Sequence, residues 1–313
     1  MSLPLLLAII CSLPQGSPHL VETQISPRSS DREPSKVWSV PDLKSGPVPK
    51  TLVGLDKIFK KCITVFGIHV LATEDFDDTK FRHVASILAE YLDNDEDGQP
   101  DNPLVVEAMS SRLMAMVLFR TERQMSRLDR SAVEDYGYRY LQGQFEEETD
   151  PEDRFDATLE EVLHLVTTGY AEAYPRVFGA LPGTELSDCL DRARGGRYAR
   201  VPRTYPDEAW FHYDDRSCDY SCMGVEYLYW ALTSLLGAQS ESSRRREIIH
   251  EWKLVTPESV RERDPWITSL LTNEKYRWAI ELPDGKYSPG SQKKSGPEKK
   301  GSSQESGKDK TRD

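Results

Sequence analysis

Glycine-rich phosphate loops, a Gly-x-Ser-x-Gly nucleophile turn and a dinucleotide fingerprint are all missing from this chain of 313 residues. Kinases, serine hydrolases of the α/β type and nicotinamide enzymes are therefore disfavoured. After the first sixteen residues nothing approaches the roughly 20 apolar residues that a membrane-spanning helix needs, so no membrane span is expected. No Asn-x-Ser/Thr sequon occurs, and N-glycosylation is not expected. Positive charge is in short supply, with 40 Lys and Arg against 52 Asp and Glu and a net charge of −12. The basic charge gathers at the end: from Tyr287 to Asp313 seven Lys/Arg stand against four Asp/Glu, net +3, which leaves −15 on the rest. A body of that sign is not expected to take nucleic acid as a partner.

Apolar residues make up 38% of the chain, enough for an ordinary buried core. Residues 1–16 are an apolar stretch followed by small and polar residues, without a basic n-region, and have the length of a cleaved secretory signal peptide. A secreted, extracellular product is the expectation. The Pro/Ser-rich stretch 17–50 and the basic tail 287–313 have little to bury and are expected to be disordered, which leaves 51–286 as one compact domain. Five cysteines become four once Cys11 leaves with the signal. An even count in an oxidising compartment favours two disulfides among Cys62, Cys189, Cys218 and Cys222, with three pairings open. Cys218 and Cys222 also have a spacing that could serve zinc, but no second close pair accompanies them.

Within the domain, Ile63, Val65, Ile68 and Val70 predict a buried strand over Cys62–Ala72, with His69 as a packed or edge residue. Phe81, Val84, Ala85, Leu88, Tyr91 and Leu92 follow helical spacing. Asn102 and Pro103 then cap and open a second helix, predicted to run to about Met114, and Met116–Phe119 suit a further strand. Between the helices lies Asp93-Asn94-Asp95-Glu96-Asp97-Gly98-Gln99-Pro100-Asp101. Asp93, Asp95 and Asp97, at alternate positions, can converge on a hard cation. Gly98 permits the sharp turn, and Gln99 and Asp101 complete the candidate set. The loop resembles the calcium loops of EF-hands and of thrombospondin type 3 repeats, which implies calcium as a ligand. It departs from the EF-hand pattern at position twelve, where Leu104 replaces the bidentate glutamate unless Glu107 reaches back. The alternative is a solvated Asp-Gly turn.

A second acidic run, Glu146–Asp156, has seven carboxylates and only Arg154 to offset them. It precedes a helix expected to start near Asp156 or Thr158 and to reach about Ala173, since Pro175 forbids continuation. At about 100° per residue, Leu159, Val162, Leu163, Val166 and Tyr170 share one face while Glu160, Glu161 and His164 cluster opposite. Glu160 and His164 are one turn apart, with Glu161 beside them. The segment resembles the HExxH helix of gluzincin-type metallopeptidases, in which the first and fifth residues bind zinc and the second is the general base. The resemblance implies Glu160 in place of the first histidine, His164 as the second ligand and Glu161 as base. Two plainer readings compete: Thr158-x-x-Glu161 is also a capping box, and Glu160 with His164 is also an ordinary surface pair.

The run Cys222–Gly237 is apolar nearly all round and predicts a buried helix whose single carboxylate is Glu226. An ionised carboxylate there costs several kcal/mol unless it is paired or binds a metal. Gluzincins draw their third ligand from a glutamate on a later helix, and the resemblance gives that role to Glu226. Pairing with Arg139 or Arg203, or protonation, would also satisfy it. His212 is a reserve ligand. His250-Glu251 resembles the start of a second HExxH, but Leu254 occupies the second histidine's place and rejects it. The reading that follows is a helix-rich α+β, zincin-like domain with a small sheet and disordered tails. Zinc is expected on Glu160, His164 and Glu226, with Glu161 as base for hydrolysis of a peptide or protein substrate, and calcium on the acidic loop. A non-catalytic, calcium-binding protein of the extracellular matrix or of mineral fits the same charge distribution.

Overall fold

The computed structural model describes residues 38–52, 54–127 and 140–290. The expected signal segment, residues 17–37, Arg139 and residues 291–313 lie outside them. β-Branched and apolar residues between Lys61 and Ala72 form a hairpin, not the single strand expected. β1 (Lys61–Val65) and β2 (Ile68–Ala72) pair antiparallel. The chain reverses at Phe66 and Gly67, whose φ angles of 47° and 81° make the two-residue turn that suits the twist of a hairpin. β3 (Met114–Phe119) and β4 (Tyr140–Phe145) continue the sheet in the order β1-β2-β3-β4, each parallel to the strand before it.

Strand periodicity sorts the side chains onto two faces. Ile68, Val70, Met114, Met116 and Leu118 belong to one apolar cluster, while Leu71, Ala115, Val117 and Phe119 join another with Leu52, Leu55 and Phe59. Parallel strands need crossovers, and the first one carries helices α1 (Asp78–Leu92) and α2 (Pro103–Ser111) across the larger cluster. Asp77 caps α1 through the amides of Thr79 and Lys80, and Asn102 caps α2. α2 ends at Ser111, short of Met114, because Leu113 takes φ 52° and turns the chain into β3. α3 (Glu122–Met125) lies on the opposite face. The remaining α-helices among the described residues are α4 (Thr158–Ala173), α5 (Glu185–Ala193), α6 (Tyr220–Leu235), α7 (Ser242–Ile248), α8 (Pro257–Arg263) and α9 (Pro265–Leu271). The architecture is α+β and helix-rich, and no helix among the described residues is long and apolar enough to cross a membrane.

α4 is the central element and packs against α1, α2, α6 and β4. Gly169 lets α2 approach it, since a Cβ there would stand 2.4 Å from the Met109 Cγ. Tyr91 of α1 donates its hydroxyl to the carbonyl of Leu159 at 2.9 Å.

Three boundary and bonding expectations are corrected. Residues 38–50 belong to the domain: Trp38, Leu43 and Val48 are buried, and Gly46 bridges to Cys62 in antiparallel fashion. Tyr287 is buried as well, its hydroxyl on Asp93, so the ordered body reaches at least residue 290. Of the two disulfides expected, one is present, Cys218–Cys222, with Cα atoms 5.4 Å apart. Cys62 and Cys189 are free and buried, because the pleat turns Cys62 to one cluster while α5 holds Cys189 in the other.

The acidic run before α4 is anchored at its end. Asp156 accepts from the amides of Asp150 and Thr158 and from His83 Nε2 at 2.7 Å, tying α1 to the start of α4. Burial disfavours the charge on His83, but the hydrogen bond and charge of Asp156 outweigh it and hold its pKa above 6.5. Burial likewise opposes the Asp156 charge, and the bonds from His83 and Thr158 outweigh it to hold that carboxyl below its usual range. The His83 contribution is complete below about pH 6.5 and is lost as pH rises through the raised value. The Asp156 contribution is complete above about pH 4 and is lost on acidification. Thermal unfolding across pH should therefore show a decline in Tm above about pH 6.5 that His83→Gln removes.

Candidate metal centre

β4 sets the floor of the site. Its alternation turns Tyr140, Gln142 and Gln144 toward α4 and Leu141 to the other face. The Tyr140 hydroxyl donates to Gln142 Oε1 at 2.6 Å, which orients the amide so that Nε2 donates to Glu161 Oε2. Gln144 donates to Thr158 Oγ1 at 2.9 Å. The capping box anticipated between Thr158 and Glu161 is not formed: Ala157 is the N-cap, and Asp156 takes the Thr158 amide. Glu161 is thereby released from a capping role and held by the sheet.

The motif face of α4 does point away from the leucine face, yet it is not a surface. α6 packs over it, leaving Glu161 and His164 each 4% exposed and Glu226 7%, with Glu160 at the partly open edge. One nitrogen of His164 and one oxygen each from Glu160 and Glu226 lie within 4.8 Å of one another. His164 Nε2 stands 3.6 Å from Glu226 Oε2 and Nδ1 stands 3.8 Å from Glu161 Oε2, both beyond hydrogen-bond length. Nε2 is buried and has no hydrogen-bond partner. In a tetrahedral zinc site with bonds of about 2.1 Å, ligand atoms sit roughly 3.4 Å apart, so the 3.6 Å spacing suits two ligands of one ion. One imidazole and two carboxylates are an acceptable donor set for zinc and other borderline divalent ions.

Carboxylates outnumber cations here, and their proton affinities reflect it. Burial first, then the charge of Glu226, pushes Glu160 up to about 7. Burial pushes Glu161 up to about 8 against the opposing influence of His164. His164 loses by burial but is held at about 9 by Glu226, Glu161 and Glu160. Nearby, burial and the charge of Glu161 raise Glu148 to about 9. A bound cation favours the charged carboxylates and the neutral imidazole, so metal uptake at this centre would release protons. The Arg244 guanidinium lies at the rim, bonded to Gln239 Oε1 at 2.8 Å and to the Tyr229 hydroxyl at 3.3 Å.

Other residues singled out from the sequence fall elsewhere. Arg203 makes no ion pair with Glu226, whose ion-pair partner among the described residues is His164. His212 stacks on Tyr205 outside the cluster. On the acidic loop, oxygens of Asp93, Asp95 and Asp97 do converge within 4.8 Å, and Gly98 takes φ 90°. Asp101 is instead an acceptor for the Asn94 amide, and the Gln99 side chain donates to the Gly98 carbonyl. Leu104 is exposed, and Glu107 does not join the group. Sequence reasoning passed over Tyr140, Gln142, Gln144, Glu148 and Tyr229. A Tyr-x-Gln-x-Gln alternation in an otherwise apolar strand was the available signal. No known protein family, curated sequence or solved structure matches the chain.

Removing the donor under Glu161 leaves a buried carboxylate unsatisfied. Gln142→Leu should cost about 1–3 kcal/mol of stability, read from urea denaturation.

Proposed function

We propose that the chain is a metal-dependent hydrolase that holds zinc on Glu160, His164 and Glu226 and cleaves a peptide or protein substrate, in keeping with the expected extracellular setting. The observation that carries this reading is the buried His164 Nε2, which has no hydrogen bond and faces Glu226 at 3.6 Å in a convergence that Glu160 completes. A bound zinc ion would supply Lewis acidity to a water and to the substrate carbonyl. Glu161 is the general base: Gln142 fixes one of its oxygens, and its raised proton affinity suits a group that must accept a proton near neutral pH. His164 has to be neutral to act as a ligand, so zinc affinity should fall as pH drops. Glu160 stands at the open edge, where substrate would enter.

Elemental analysis of purified protein, read against Glu160→Ala, His164→Ala and Glu226→Ala, tests the ligand set. Loss of zinc in all three is expected, and zinc that is absent or indifferent to the changes rejects it. Glu161→Gln should keep the metal and lower peptide hydrolysis by roughly 10²–10⁴-fold.

A second reading rests on the convergence of Asp93, Asp95 and Asp97: the loop binds calcium and fastens the C-terminal segment that crosses it. Calcium at about 100 times its Kd should then raise stability by about 2.7 kcal/mol. Asp95→Ala should abolish that gain, as Asp95 is exposed and makes only a local bond to the Asp97 amide.

A further inference from the structure

Beyond the α4–α6 centre, two extended segments run antiparallel through a bridge between Phe211 and Trp252. His212 donates its amide to the Glu251 carbonyl at 2.6 Å, and Lys253 donates to the Trp210 carbonyl at 3.0 Å. Phe211 and Trp252 are fully buried and Tyr213 nearly so, so the pair is fixed to the core. This frame presents Asp214 from one segment and His250 and Glu251 from the other, with one ligand atom of each within 4.8 Å of the others. His250 Nε2 is 3.5 Å from Glu251 Oε1. Among the described residues, no lysine or arginine forms an ion pair with Asp214 or Glu251.

The Glu251 side chain is only 12% exposed; burial first, then the charges of Asp214, Glu226 and Glu160, raise its proton affinity, and the Arg244 charge opposes them. The two clusters therefore share one electrostatic field. We propose that Asp214, His250 and Glu251 bind a second divalent transition-metal ion beside the one held by Glu160, His164 and Glu226. The imidazole nitrogen favours zinc, copper, iron or nickel over calcium or magnesium. Asp214 and His250 face solvent, so this ion keeps positions open to water. The pair would form a two-ion centre, an extension of the hydrolase reading whose outer half does not need the inner one.

Zinc titration of the full chain after chelator treatment, followed by calorimetry, tests it. Wild type should take up about two equivalents; Asp214→Asn and His250→Ala should each lose one or bind it at least about tenfold more weakly. His164→Ala should lose the other equivalent while keeping the His250-dependent one. If the inner reading fails alone, wild type binds one equivalent and His250→Ala none. Stoichiometry and affinity unchanged in both Asp214→Asn and His250→Ala overturn the outer site, as does uptake equally weak in every variant, which marks adventitious binding. Both substitutions are at solvent-facing positions, and unchanged circular dichroism would confirm that the fold persists.

Discussion

Burying charge between two apolar helices is the constraint on which the rest of this structure turns. α4 and α6 are covered on nearly every side, yet between them they carry Glu160, Glu161, His164 and Glu226. Charges at such depth cost several kcal/mol each unless partners are supplied with good geometry. β4 supplies one through Gln142, itself set by Tyr140, and His164 stands among three carboxylates without a hydrogen bond from Nε2. An apolar filling of the same space would be at least as stable, so the retention of these groups asks for a chemical reason.

Carboxylates elsewhere in the fold act as structural acceptors, and the contrast is instructive. The fully buried Glu90 accepts three consecutive amides, from Asp284, Gly285 and Lys286. Asn94 binds the backbone of Ile280 and Glu281, and Asp93 takes the Tyr287 hydroxyl. The end of the ordered chain is thus strapped across the acidic loop and clamped by the stack of Trp278 on Tyr170, whose hydroxyl bonds the carbonyls of Tyr276 and Arg277. Glu90 and Asn94 are thus met by backbone partners, whereas the ligand set of α4 and α6 faces itself.

The start of α2 at Asn102 and Pro103 and the turn at Gly98 were legible because each rests on local chemistry: a side-chain acceptor for free amides, a ring that fixes φ, a residue that tolerates positive φ. The juxtaposition of Glu226 with His164 was legible in outline, since a lone acid in an apolar helix demands a partner. The hairpin turn at Phe66-Gly67 hid in a continuous β-branched run. The place of residues 38–50 in the core was equally hidden, because a Pro-rich segment reads as solvated until Trp38 and Leu43 join the larger apolar cluster and Val48 the smaller. His250-Glu251 was set aside for lacking a helical partner four residues on. Asp214 is brought within 4.8 Å of that pair by a bridge that no local pattern announces.

By itself the sequence determined the helix-rich α+β class, the placement of a carboxylate pair and a histidine on one helical turn, and the acid at the heart of a later apolar helix. Those follow from periodicity and from the cost of isolated buried charge. Only the tertiary structure decided that α6 seals the motif face, that Glu161 is held by a strand glutamine and not by a helix cap, and that Cys62 and Cys189 stay apart. Such matters depend on which faces of distant segments meet, and the energy of that meeting is spread over many contacts too weak to leave a mark on any short stretch of chain.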